Sequence, residues 1–232
     1  MPTFPPPIDK ALIAREAAKI LLEIGAVHFY EDKPFILTSG KASPVYTDCR
    51  RIISFPRARA TLMDFAVATI LQNVGYEKLD VVAGGETAGI PFAAWLAERL
   101  LLPMQYVRKK PKGFGRNAQI EGLVSEGQRA ILVEDLATDG GSKVGFVKAM
   151  REAGLHVEHC FVIFYYDIFA QGRAALDELG VTLHSLTTWR DVLAVAKAAG
   201  TFAPEILVEV ESFLDAPIEW SASHGGKVDP AS

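Results

Sequence analysis

From Asp9 onward, apolar residues recur at Leu12, Ile13, Ala17, Ile20, Leu21 and Ile24, the spacing of a helix with one buried face. Asp9 predicts its N-cap and Gly25 its stop. Residues 26–53 lose that period and read as irregular and strand-like, with a turn signal at Ser39-Gly40. A second helix is predicted over residues 56–74, with Pro56 at its first position. After Lys78 the pattern alternates. Short β-rich apolar runs at DVVAGG (80–85), MQYV (104–107), RAILVED (129–135), VEHCFVIFYY (157–166) and VTLHSL (181–186) predict strands. Helical stretches at 88–100, 141–153 and 171–179 separate them, and residues 108–119 read as a long polar loop. Continuous apolar strands between helices predict a parallel sheet covered on both faces, hence an α/β fold. The expected organisation is a small N-terminal segment at 1–54, an α/β core at 55–190, and two short helices with a polar tail at 191–232.

Composition narrows the class. The 232 residues suffice for one large domain or one domain with an appendage, and half of them are apolar, enough for a full core. With 28 acids against 24 bases the net charge is −4, which argues against a whole-protein field for nucleic acid. Two cysteines, Cys49 and Cys160, are too few for a disulfide scaffold and fit a reducing compartment. No apolar run approaches the ~18 residues that span a bilayer. The opening MPTFPPPIDK lacks a basic region followed by an apolar core, so no secretory signal is expected. A soluble, cytoplasmic protein without nucleic-acid or membrane partners is the expectation.

The chemistry concentrates at ILVEDLATDGGSKVG (131–145). An apolar strand runs into Glu134 and Asp135, followed by Leu136, Ala137, Thr138, Asp139, Gly140, Gly141 and Ser142, and then a helix. Glycines let backbone N–H groups converge, and a helix start adds positive partial charge, which together make a nest for a phosphate monoester. The carboxylates can accept hydrogen bonds from vicinal hydroxyls. A diol acceptor beside a phosphate nest fits a ribose 5-phosphate. The plainer alternative is a solvated strand end with Asp139 or Ser142 as helix cap. An acid at 139 is repulsive to a phosphate unless it points away. A second feature is the run Arg108, Lys109, Lys110, Lys112 and Arg116, with no acid among them and with Gly113 and Gly115 for mobility. It reads as a charged lid, or otherwise as a solvated loop or an RNA-contact patch. His156, His159 and Cys160 do not make a metal site, because strand alternation sends the two histidines to opposite faces. Gly113 to Ala118 matches a dinucleotide fingerprint formally, but it sits in a basic loop instead of a strand-to-helix turn.

Four ordered segments carry a resemblance. VEDLATDGGSK resembles the phosphoribosyl-pyrophosphate signature of type I phosphoribosyltransferases. FILTSGKASPVYTDCR, VVAGGETAGIPFAAWLA and YVRKKPKGFGRNAQIEG resemble, in turn, the orotate-binding segment, the pyrophosphate loop and the mobile catalytic loop of the orotate phosphoribosyltransferase family. The resemblance implies a type I phosphoribosyltransferase-like parallel sheet flanked by helices, with an N-terminal hood. It implies transfer of a phosphoribosyl group to orotate N1 with loss of pyrophosphate, a step in pyrimidine (UMP) biosynthesis. The oxocarbenium-like transition state calls for positive charge around the leaving group and exclusion of water. Lys109 and Asp135 are then the catalytic candidates. Arg108, Lys109 and Lys112 match pyrophosphate-contacting positions, Gly84-Gly85-Glu86-Thr87 would bring backbone to the pyrophosphate, and Thr138 falls near the orotate. Mg²⁺ is the implied cofactor. A homodimer with shared active sites is the implied assembly, Lys109 reaching into the partner's site. Two positions depart from the pattern. Phe114 stands where many members carry a lid histidine, and Ile168 where some carry an arginine for the orotate carboxylate, leaving Arg173 as a candidate substitute. A phosphoribosyltransferase for another base, and a ribose-phosphate-sensing nucleic-acid-binding regulator, remain the alternatives. The SGKASPVYTD segment favours orotate.

Overall fold

The structure, a computed structural model, describes residues 8–30, 32–37, 39–113, 119–138 and 141–227. Helix α1 (Lys10–Glu23) begins as the pattern predicts. Asp9 Oδ1 accepts from the N–H groups of Ala11 at 2.9 Å and Leu12 at 3.2 Å, and Gly25 leaves the helix at φ +64°. Its face of Ile13, Ala17 and Leu21 is buried. Strand β1 (Val27–Phe29) pairs antiparallel with β4 (Val45–Thr47), and β2 (Phe35–Ile36) with β3 (Ala42–Ser43). The expected strand-like character stops there: CRRIIS folds as a 3-10 helix, Cys49–Ser54. Pro56 then opens α2 (Pro56–Asn73) at its first turn, where a missing N–H costs nothing.

The central sheet has six strands in the order β10-β9-β8-β5-β6-β7. They are β5 (Val81–Gly85), β6 (Met104–Val107), β7 (Ile120–Glu121), β8 (Arg129–Ala137), β9 (His156–Tyr165) and β10 (Thr182–Thr188). All neighbours are parallel except β7, which pairs antiparallel with β6 and closes the base of the basic loop. The two residues of β7 were not predicted, being too short a run to show a period. The sheet follows the α/β expectation, and its strands are buried on both faces. On one face Val82, Ile131, Val133, Phe161 and Ile163 pack with α1, α2, and α3 (Gly89–Leu100). On the other, Ala130, Leu132, Cys160 and Val162 pack with α4 (Gly141–Glu152) and α5 (Ala170–Asp177). Cys49 and Cys160 are free and buried.

The C-terminal part contains three helices instead of two: α6 (Trp189–Ala199), α7 (Pro204–Asp215) and α8 (Pro217–Ser223). Ala216 precedes a proline and takes φ −142°, ψ 67°, which breaks an otherwise continuous apolar period. These helices share the first core with the N-terminal strands, Phe29 packing on Phe202 at 4.3 Å between ring centroids and edge-on to Trp189. Among the described residues no helix is long and apolar enough to cross a membrane.

Candidate active site

A cleft of about 990 Å³ opens beyond the carboxyl ends of β5 and β8, where ligands bind in parallel α/β sheets. The sheet supplies its floor and the β2–β3 hairpin its opposite wall. Strand β8 runs two residues further than predicted, so Glu134 and Asp135 lie within it and Ala137 ends it. Alternation sends the two carboxylates to different faces of the strand, yet both line the cleft. Each side chain belongs to a residue only 8 % exposed.

Glu134 leans toward α4. Its Oε2 lies 3.9 Å from Nζ of Lys143, itself buried, and its Oε1 has no hydrogen-bond partner. Gly85 and Gly89 make room for that carboxylate, since a Cβ at either would collide with Oε1. Burial pushes the Glu134 carboxyl up to about 7, against the pull of Lys143. Asp135 is also raised by burial, offset by the Leu136 N–H, which donates to Oδ1 at 2.9 Å, and by Lys143. Both acids are therefore poised to gain from a ligand that donates hydrogen bonds.

This arrangement sets a stability profile for the ligand-free protein. Glu134 binds its proton more tightly folded (about 7) than unfolded (4.5). Its protonation thus favours the native state below about 4.5, and that advantage is lost as pH rises through 7. Glu134→Gln is expected to remove this downward slope and to gain up to about 3 kcal/mol over wild type at pH 8. Urea unfolding from pH 5 to 8 measures it, and a variant retaining the wild-type slope would show that Glu134 is not the group responsible.

The base of the lid is fixed by backbone. Arg108 N–H donates to Gln119 O at 2.7 Å, and Gln119 Nε2 to Arg108 O at 3.1 Å. Lys109 N–H donates to Glu86 Oε2 at 2.7 Å, joining the lid to the turn after β5, where the Glu86–Thr87 peptide is cis. Lys109 lines this chain's own cleft. Arg108 instead faces Glu121, Nη1 to Oε1 at 3.4 Å, and Lys112 is exposed, so neither lines the cleft. Phe114 and Arg116 lie outside the described residues.

Of the sequence-predicted residues, the cleft brings together Lys109, Glu134, Asp135, Leu136, Thr138 and Ser142. Ala137 is buried in the α4-side core, Gly141 opens α4, and Asp139 and Gly140 lie outside the described residues. Ile168 packs at the edge of the first core. Arg173 lines a different cleft, along the β10 edge with Lys10 and His184, so it does not take the place of the missing arginine. Cations do reach the main cleft from the N-terminal segment: Lys41, with Nζ 5.4 Å from the Phe169 ring centre, and Arg50, held to Asp48 by an Nε–Oδ1 contact of 3.0 Å. Neither was singled out individually, nor was Phe169 or Lys143. The signal available was a cation in a short polar turn between apolar runs, FILTSGKAS. Of the three residues His156, His159 and Cys160, His156 is exposed and Cys160 buried, while His159 Nδ1 and His184 Nε2 approach to 3.2 Å.

Comparison with known proteins matches this architecture. Residues 57–179 match the family model of the phosphoribosyl transferase domain. A protein of Cereibacter sphaeroides named orotate phosphoribosyltransferase is 60 % identical over 220 residues, covering 95 % of this chain and 94 % of its own. One of the same name from Sinorhizobium medicae is 59 % identical over 218 residues, 94 % of each chain. The crystal structure of orotate phosphoribosyltransferase from Aeropyrum pernix superimposes with a TM-score of 0.67 at 32 % identity, over 80 % of this chain and 99 % of that one. Identity of this extent over nearly the whole chain, and a fold that turns an acid-pair strand onto one cleft, together establish that the chain belongs to the orotate phosphoribosyltransferase family of type I phosphoribosyltransferases.

Proposed function

We propose that the cleft binds 5-phosphoribosyl 1-pyrophosphate and orotate together and joins them at the anomeric carbon. Orotate N1 forms the new bond to C1′, the C1′–O bond to pyrophosphate breaks, and the N1 proton is lost, giving orotidine 5′-monophosphate and pyrophosphate. The observation that carries this reading is the meeting of two unlike walls. The end of β8 offers Asp135 and Glu134 for ribose hydroxyls, and Thr138 and Ser142 flank it for the 5′-phosphate. The opposite wall offers Lys41 of the β2–β3 turn and Arg50 of the 3-10 helix to the carboxylate of orotate, with the rings of Tyr46 in β4 and Phe169 before α5 to its base. Lys109 and the Gly85–Thr87 turn stand where the leaving pyrophosphate departs, and stabilising developing charge there is the main work of such a site. The reaction class places the product ahead of a decarboxylation leading to UMP.

Mg²⁺ suits this donor set. It takes few protein ligands and prefers phosphate and water oxygens, and the partnerless Oε1 of Glu134 and the carboxylate of Asp135 are oxygens of the right kind. When bound it would neutralise charge on the pyrophosphate. The working unit is a cytoplasmic two-fold dimer with shared sites. Lys109 serves its own chain, while Arg108 and Lys112, which turn away from this chain's cleft, are the cations offered to the partner.

The test is pyrophosphate release by the pure protein with 5-phosphoribosyl 1-pyrophosphate, Mg²⁺ and orotate, uracil, adenine, hypoxanthine or guanine in turn. Turnover with orotate alone supports the reading. Turnover with a purine in its place transfers the assignment to another base, and no turnover with any acceptor contradicts a transferase role.

A further inference from the structure

We infer that α8 and the turn following it are a positioning clamp for the base-side hairpin, so that residues at the far end of the chain set the affinity for orotate. The inference rests on the reading that the β2–β3 hairpin meets the base. That hairpin has two residues in each strand, too little for independent stability in water. Its turn, closed by Leu37 N–H to Lys41 O at 2.9 Å and Gly40 N–H to Leu37 O at 2.7 Å, carries Leu37, Ser39 and Lys41 into the cleft.

Two of the bonds that hold the hairpin come from about 180 residues or more away. The Ala42 N–H donates to Ser221 Oγ at 2.9 Å, with both residues buried. The Lys227 N–H donates to Gly40 O at 2.9 Å, so the chain after α8 is bonded to the hairpin turn itself. Between these bonds Gly226 donates to Ser221 O at 2.9 Å and lies so close to Ser221 Oγ and the Ala42 nitrogen that no Cβ can be accommodated. The helix is anchored in its turn to α7. Trp220 packs edge-on against Phe213 with centroids 5.5 Å apart and donates from Nε1 to Glu209 Oε2 at 2.9 Å, while His224 stacks on the Trp220 ring at 3.7 Å. Glu209 and Phe213 belong to a helix packed against the core, so α8 ties the hairpin turn to the body of the protein, in addition to the contact of Phe35 with Tyr46 of β4 at 5.7 Å between ring centroids.

Three variants test this. Ser221→Ala removes the acceptor of the Ala42 N–H and should raise the KM for orotate roughly five- to tenfold, the equivalent of one buried donor left unpaired. The KM for 5-phosphoribosyl 1-pyrophosphate should stay within about twofold of wild type, since the β8 wall is untouched. Amide hydrogen exchange should quicken across residues 35–43, and Ser221→Thr, which restores a hydroxyl, should recover both readouts. Gly226→Val should act more strongly in the same direction; should it fail to fold, the Ser221 pair still decides. Lys41→Ala tests the underlying reading separately, raising the orotate KM without loosening the hairpin amides. An unchanged orotate KM in Ser221→Ala and Gly226→Val beside a raised one in Lys41→Ala would overturn the clamp and leave the base-side assignment standing. An equal rise in both KM values, or unchanged exchange, would also overturn it. An unchanged orotate KM in Lys41→Ala would remove the hairpin from the base site and the clamp with it.

Discussion

Asp135→Asn is expected to lower kcat/KM at least about a hundredfold while leaving the fold intact, the usual scale for removing one preorganised electrostatic contact in a water-poor site. Asp135 lies two residues before the end of a buried strand, and it lines the cleft where ribose hydroxyls and positive charge at the anomeric carbon would lie. Asparagine keeps the shape and one acceptor oxygen but loses the charge. Burial raises the Asp135 carboxyl, so ionising it opposes folding of the empty protein. The variant should therefore melt no lower than wild type at neutral pH. Steady-state kinetics with a melting curve on the same preparation measures both. Activity within about tenfold of wild type would take Asp135 out of the reacting site.

The second large effect is recovery of activity by mixing two nearly inactive variants. Lys112 is exposed and does not line its own cleft, although it lies in the basic run proposed to supply positive charge for pyrophosphate. If it serves the partner, a heterodimer of Lys112→Ala and Asp135→Asn contains one site with both lesions and one with none. Random reassembly then restores roughly a quarter of all sites. Lys109 lines the same chain's cleft as Asp135, so the corresponding mixture of Lys109→Ala with Asp135→Asn should recover nothing. Native mass measurement confirms that heterodimers form. Recovery in the Lys109 mixture, or none in the Lys112 mixture, would reverse or remove the proposed division of the lid between subunits.

Much of the scaffold was legible because its signals are local. Asp9 and Gly25 bracket α1, Pro56 starts α2, and the strand runs are continuous apolar stretches that only a doubly covered sheet can bury. What escaped the pattern depends on tertiary contacts. CRRIIS has its buried residues at Cys49 and Ile52, a three-residue spacing too short to show as a period, and β7 is two residues fixed by pairing with β6. The division between α7 and α8 rests on the single residue Ala216 before Pro217. At the site, the acid pair was readable as chemistry, but its orientation was not. A lysine in the first turn of a helix reads as solvated, whereas Lys143 is buried beside Glu134 because Gly85 and Gly89 leave the space for the carboxylate. Arg108, Lys109 and Lys112 read as one cluster, and only the pairing of β6 with β7 shows which of them turns inward. Lys41 reaches the cleft through a hairpin whose position is fixed by Ser221 and Lys227, a relation that spacing along the chain does not carry.

The most direct measurement is a crystal structure with orotidine 5′-monophosphate bound. The phosphate is expected in the segment 138–142, the ribose hydroxyls within hydrogen-bonding distance of Asp135 or Glu134, and the base between the Lys41 turn and Phe169. Nucleotide seated instead in the cleft along β10, or in the main cleft with its phosphate against Lys41 and its base toward α4, would contradict this placement.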